Sequence, residues 1–253
     1  MNVEFIFSEF RERNISNSYK ALGKYGNKYR LDPTYSSIKQ YFPDAKITVY
    51  TDQEHIGDVY TDVDIRLIDV DKSPFDKNNK RWGWHCCDYY QVDGLLKSKA
   101  DIAISVDSDL MFVSNEVKTL LPITKNFGFC TPQNPRQFVK IDAIHTRGND
   151  GDYHVGEDES MGNILTYDLW WMSLYTKDKN GRKFYEKFME LMADNPKRGP
   201  LQLSRAAWEL KIYPYVMPIQ WGVGFAHIGF GNEIILLVDH FDVQDYYLTE
   251  RLG

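Results

Sequence analysis

Two aspartates separated by one serine, Asp107-Ser108-Asp109, close a run of small apolar residues, Ile102-Ala103-Ile104-Ser105-Val106. The chain then turns apolar again through Leu110-Met111-Phe112-Val113. A run apolar on both faces reads as a strand buried in the middle of a sheet. Ionised carboxylates in such surroundings are costly unless something cationic meets them. Two of them at a strand's C-terminal end, where open α/β sheets bind ligands, form a seat for a hard divalent cation. Such cations take oxygen ligands and share them with substrate phosphates. The competing reading is a cap on a neighbouring helix or a solvated turn.

The D-x-D pattern alone discriminates little, because Asp62-Val63-Asp64, Asp69-Val70-Asp71 and Asp150-Gly151-Asp152 match it too. The first two flank or end an alternating segment (Val63, Ile65 and Leu67 against Asp64 and Arg66), as an edge or near-edge strand would. The third sits in a polar loop with glycine and histidine. Context singles out Asp107 and Asp109, which follow a strand without a charge inside it.

The elements around this motif alternate. Val3 to Phe7 reads as a strand, and Asp32-Pro33 as a helix start with aspartate as cap and proline in the first turn. That helix carries Tyr35, Ile38 and Phe42 on one face and stops at Pro43. Strands follow at Ile47 to Tyr50 and Ile65 to Ile68, then a polar, mostly basic loop from Lys72 to Arg81. A helix from Trp82 to Lys97, with Tyr89, Val92 and Leu96 at helical spacing, leads into the strand before Asp107. This β-α-β-β-α-β order predicts an α/β fold with a largely parallel, nucleotide-binding style of sheet. Beyond it come a short strand near Phe127 to Cys130 and a long polar stretch, Thr131 to Ser160, of the kind used as lids or binding loops. A strand at Asn163 to Tyr167 follows. Next come a helix marked by Phe184, Phe188 and Met192, another opened by Pro200 with Leu203, Ala207 and Leu210 inward, and a last strand at Ile234 to Val238.

The 253 residues suit one large α/β domain, or one with an elaborated C-terminal lobe. A net charge of −6 and a pI near 5.5 argue against non-specific nucleic-acid binding, which needs a basic face. Three cysteines, two adjacent at Cys86 and Cys87, give no disulfide framework and fit a reducing compartment. His85-Cys86-Cys87 lacks zinc-site spacing and belongs on a packed helix. No secretory leader is visible after Met1, and no apolar run reaches the roughly 20 residues that span a bilayer. A soluble, cytoplasmic protein is expected.

Four features together resemble the nucleotide-sugar-dependent glycosyltransferases of the GT-A fold. They are the early strand-helix-strand ending in Val49-Tyr50-Thr51-Asp52, the helix beginning Arg81-Trp82-Gly83-Trp84, Asp107-Ser108-Asp109 with Met111-Phe112-Val113 behind it, and a histidine after a late apolar strand. The likeness spans most of the chain and is densest from Ile38 to Cys130. It implies a Rossmann-like, mixed and mostly parallel sheet flanked by helices in one domain over 1–253. Residues 1–130 would bind the nucleotide sugar, and residues 131–253 would bind the acceptor.

The resemblance also implies roles. Asp109 would ligate Mn²⁺ or Mg²⁺ directly, and Asp107 would contact the ribose or reach the metal through water, with Ser108 beside the donor. A C-terminal histidine completes such sites; His240, after Ile234-Ile235-Leu236-Leu237-Val238, fits better than His227, which lacks a preceding strand. Each has a structural alternative as a hydrogen-bonded histidine. Ser8 and Arg11, just past the first strand, fall where this fold holds base and ribose.

Arg81 has the planar fork that suits a diphosphate, and Asp88, two turns along, would fix that arginine or accept from donor-sugar hydroxyls. An ordinary surface ion pair is the alternative for both. On the acceptor side, Glu157-Asp158-Glu159 offers Glu157 and Asp158 as general base for an acceptor hydroxyl, against a solvated acidic turn. Gln202 stands where several relatives place a carboxylate, and a glutamine cannot be a base. Trp170, Trp171 and Trp221 would stack on a sugar or pack in the core.

The expected activity is transfer of a hexosyl or pentosyl group from a nucleoside diphosphate-sugar to a glycan or other hydroxyl-bearing acceptor. A nucleotidyltransferase making a nucleotide sugar is one alternative, although Ser8-Glu9-Phe10-Arg11-Glu12-Arg13 stands where its Gly-rich, basic signature belongs. A non-catalytic glycan-binding protein is another. A phosphatase with an aspartate nucleophile would carry its motif after an early strand, and Asp107 comes too late.

Overall fold

The structure is a computed structural model that describes residues 1–10, 32–54, 56, 60–79, 82–108, 110–112, 114–132, 167–196, 199–217 and 236–238. The chain begins with β1 (Val3–Glu9), α1 (Asp32–Tyr41), β2 (Lys46–Thr51), β3 (Asp64–Leu67), α2 (Trp82–Lys97) and β4 (Ile102–Val106). It continues with β5 (Leu110–Phe112), α3 (Leu120–Phe127), β6 (Phe129–Pro132), β7 (Trp171–Tyr175), α4 (Lys179–Asp194), α5 (Gly199–Leu210), β8 (Tyr215–Met217) and β9 (Leu236–Val238). Short 3₁₀ turns lie at Val70–Lys72 and Asn115–Thr119.

Seven strands form one sheet in the order β3-β2-β1-β4-β7-β6-β8. β1 pairs in parallel with both β2 and β4, and β2 with β3. The expected parallel half is therefore present, with β3 at an edge. Its half-exposed pattern places Asp62-Val63-Asp64 in an ordinary edge-strand setting. β7 runs antiparallel between β4 and β6, while β6 and β8 are parallel, so the sheet is mixed but mostly parallel.

One face of the sheet buries Phe5, Phe7, Val49, Ile104 and Val106 against Ile38 of α1, Phe42 just after it and Phe112 of β5. The rings of Phe5 and Phe42 lie 5.1 Å apart, and those of Phe5 and Phe112 lie 5.8 Å apart. Burial of each such side chain contributes about 1.5–3 kcal/mol. The other face buries Ile6 and Ala103 against α2, with α4 and α5 outside it. α2 is covered by sheet and helices alike, which is why Cys86, Cys87, Gln91, Val92, Gly94 and Leu95 are all buried. Gly94 permits a close approach of α2 to β1: a Cβ there would lie 2.5 Å from Ile6 Cγ2. His85 is buried on this packed helix, and Cys86, Cys87 and Cys130 are buried free thiols.

Two elements differ from expectation. α3 occupies Leu120–Phe127, so the strand after it is Phe129–Pro132 rather than Phe127 to Cys130. Pro122 falls in the first turn of α3, where no intrahelical N–H is needed. Downstream, the strand is Trp171–Tyr175, buried at four of its five positions. Tyr167 makes an isolated bridge, and the rest of the strand expected at Asn163 to Tyr167 lies outside the described residues. Trp171 is 1% exposed and belongs to the core, with Trp170 partly buried beside it. No described helix is long and apolar enough to cross a membrane.

Candidate active site

Asp107 is the first residue past β4, at the edge where β1 and β2 end in Glu9 and Thr51. Three bonds fix this position. The Asp107 N–H donates to Trp170 O at 2.8 Å, which ties the end of β4 to the start of β7. The Leu110 N–H donates to Asp107 O at 3.2 Å, the bond that brings the chain round from β4 toward β5. The Gln91 side-chain amide, reaching from α2, donates to Asp107 Oδ1 at 2.9 Å and lies 3.5 Å from Val106 O.

The rest of the turn is held from α1. Thr34 donates from Oγ1 to Ser108 O at 2.9 Å, and Ser37 Oγ accepts the Phe112 N–H at 3.1 Å. The Ser108 hydroxyl is buried and meets no hydrogen-bond partner among the described residues. β5 then pairs antiparallel with β9, with Leu110 opposite Val238. The end of β9 therefore lies beside the start of β5.

Other predicted residues have structural partners. Ser8 is fully buried; its hydroxyl donates to Cys87 O at 2.9 Å, and the Cys87 thiol reaches back to Ser8 O at 3.7 Å. These bonds dock β1 on α2. Asp88 Oδ2 accepts the Gly199 N–H at 3.0 Å, so a carboxylate on α2 caps the N-terminus of α5, where an unsatisfied donor and the positive end of the helix favour it. Gln202 is buried, and its amide donates to Asn195 O at 2.6 Å and Leu191 O at 3.3 Å, carbonyls at the C-terminal end of α4. A glutamate there could not donate either bond. Arg11, Arg81, Asp109, Glu157, Asp158, His227 and His240 lie outside the described residues, as does Trp221.

Three residues on this edge carried no expectation. Asp168 is buried at the start of β7's approach, with its N–H donating to Pro132 O and its Oδ1 accepting the Leu169 N–H at 2.8 Å. Its signal in the sequence is an acid immediately before an uncharged run, the mirror of Asp107 after one. Glu9 is 3% exposed, and neither carboxylate oxygen meets a donor among the described residues. Gln91 is fully buried on α2. Among the described residues no three His, Cys, Asp or Glu side chains converge as metal ligands. A groove of about 1400 Å³ opens instead by the N-terminal ends of β1 and β2, lined by Glu4, Lys46, Tyr50 and Tyr90.

No protein-family model matches the chain, and neither does any curated protein sequence. Solved structures do. Mouse xyloside xylosyltransferase 1 superposes with a TM-score of 0.53 over 96% of this chain and 98% of its own, at 11% identity. The galactosyltransferase LgtC, solved with donor and acceptor sugar analogues, gives 0.50 over 87% of this chain and 74% of its own, at 12% identity. The fold is of the GT-A type. 4-diphosphocytidyl-2C-methyl-D-erythritol synthase of Anaerococcus prevotii also superposes, with a TM-score of 0.50 over 85% of this chain and 88% of its own, at 13% identity. At these identities the likeness speaks for the GT-A architecture, and the chemistry rests on the residues.

Proposed function

We propose that this protein transfers a glycosyl group from a nucleoside diphosphate-sugar to an acceptor hydroxyl, with Mn²⁺ or Mg²⁺ held at Asp107 and Asp109. The observation that carries this reading is the seating of Asp107. It stands at the ligand-binding edge of a mostly parallel sheet, in a turn braced from three elements. Its donor partner from α2 is a neutral amide, which orients the carboxylate without itself bringing a positive charge that would compete with a hard cation. Bound there, the cation would offset negative charge on the departing nucleoside diphosphate. His240 suits the third ligand better than His227, because β9 leads into it beside the strand that follows Asp109. Asp109 and His240 are assigned here from sequence position.

The protein's own part is to bind and orient. Arg11 and Arg81 are the cations placed in sequence to meet the donor's diphosphate, and Ser108 lies in the turn beside it. Glu157 and Asp158 remain the proposed bases for the acceptor hydroxyl, since Gln202 is committed to the end of α4.

A nucleotidyltransferase reading draws support from the superposition on 4-diphosphocytidyl-2C-methyl-D-erythritol synthase. One assay separates the two: a panel of nucleotide sugars with Mn²⁺ or Mg²⁺, scored for released product. Nucleoside diphosphate release marks a glycosyltransferase. Pyrophosphate formed from a nucleoside triphosphate and a sugar phosphate marks the alternative. Failure of every nucleotide sugar to bind would remove the transferase reading.

A further inference from the structure

We propose that Gln91 is a positioning residue for the active site, holding the Asp107 carboxylate in the orientation in which it meets its ligand. The inference rests on the metal-dependent reading above and extends it to a residue on a different element. The side-chain Nε2 of Gln91 lies 2.9 Å from Asp107 Oδ1 and 3.5 Å from Val106 O. The short contact is the one to the carboxylate, so the backbone carbonyl is the lesser partner. Both neighbours are acceptors, which fixes the amide with nitrogen toward them and oxygen away. That oxygen meets no partner among the described residues.

Gln91 is fully buried, so it does not sample solvent-facing rotamers. The helix that carries it is pinned along its length. Cys87, one turn earlier on α2, exchanges bonds with Ser8 of β1. Gly94, just beyond, seats the helix against Ile6. Asp88 binds the start of α5, and Arg182 of α4 donates to Leu96 O at 3.1 Å. A donor mounted on so constrained a helix sets the rotamer of the carboxylate it touches. Groups that orient ligating carboxylates in this way typically change metal affinity by about 10–100-fold when removed. A lysine or arginine in the same place would satisfy the carboxylate while competing with the cation; an amide orients without competing.

The alternative is that Gln91 only ties α2 to the end of β4. Gln91→Met separates the two, because it keeps length and burial but removes the donor. Titration of the full chain with Mn²⁺ alone, followed by the loss of the free-ion EPR signal, should show a 10–100-fold weaker site, with the variant folded at the temperature used. Lys97→Met, an exposed change on the same helix, should leave Mn²⁺ binding unchanged. In the wild-type protein, titration with Mg²⁺ should shift the ¹⁵N resonance of the Gln91 side-chain amide, which tests whether the ion binds beside it and needs no variant to fold. Unaltered Mn²⁺ affinity in Gln91→Met, or an amide resonance indifferent to Mg²⁺ while the wild type binds the ion, would overturn the proposal and leave the transferase reading standing. A wild-type protein that binds neither ion would remove the metal site itself, and the role of Gln91 with it.

Discussion

At the scale of single residues, the place of Asp107 directly after β4 was legible, because an uncharged apolar run ends at that carboxylate. Its partner Gln91 was not, since a glutamine within a helix announces nothing until the neighbouring strand is placed beside it. Asp109→Asn keeps shape and removes a charge. It should lower turnover by at least about a hundredfold, the loss of several kcal/mol at the leaving diphosphate. Melting in metal-free buffer should barely move. Asp150→Asn, the same pattern in a polar stretch of sequence, should match wild type in Mn²⁺-dependent donor binding; parity of the two variants in turnover would sink the metal seat. Glu4 lies far from this edge and supports a pH prediction. Burial pushes its pKa up, but hydrogen bonds from Ser98, Thr48 and Lys46 outweigh that and hold it below the usual glutamate value. A depressed carboxyl pKa adds stability that is present above the unfolded-state value and is lost as pH falls through the folded one. Thermal melts across the acid range should therefore show a steeper loss below about pH 4.3, the unperturbed glutamate value, in wild type than in Glu4→Gln.

At the scale of elements, the bounds of α2, Trp82–Lys97, are legible because polar turns flank a long run without a proline. β7 escaped because a strand buried on both faces shows no alternation, and its paired tryptophans invite a ligand-stacking reading. α3 escaped because it is short and carries a proline. The junction of α2 with α5 was invisible in the sequence, since Asp88 and Gly199 meet across 111 residues. Loss of this cap in Asp88→Ala should cost about 0.5–2 kcal/mol in urea unfolding, the usual worth of an N-cap. Gly199→Ala should also destabilise, because its Cβ would lie 2.4 Å from Leu169 Cδ1 and 2.8 Å from Asp88 Oδ2. If Gly199→Ala unfolds at the wild-type urea concentration, this packing is looser than the distances imply.

At the scale of the whole molecule, the parallel half follows from the order of apolar runs, and the mixed character comes from an antiparallel strand that no local pattern foretold. The three thiols sit in the two cores that this sheet separates, and burial pushes that of Cys130 up to about 11. Thiolate is the reactive form. A disulfide reagent should therefore label almost none of the native protein over minutes and all three cysteines after denaturation; rapid labelling of a native thiol would contradict the burial.

The place of β7 also sets an order of events during synthesis. β4, whose five residues are all buried, gains its second neighbour only when residues 171–175 arrive. Until then a nascent chain presents an apolar strand with an open edge, the kind of template that pairs with other chains. A fragment ending at Pro132 should accordingly aggregate or engage chaperones. Supplying residues 167–217 as a separate polypeptide should raise its soluble yield, measured by sedimentation of the two products expressed together.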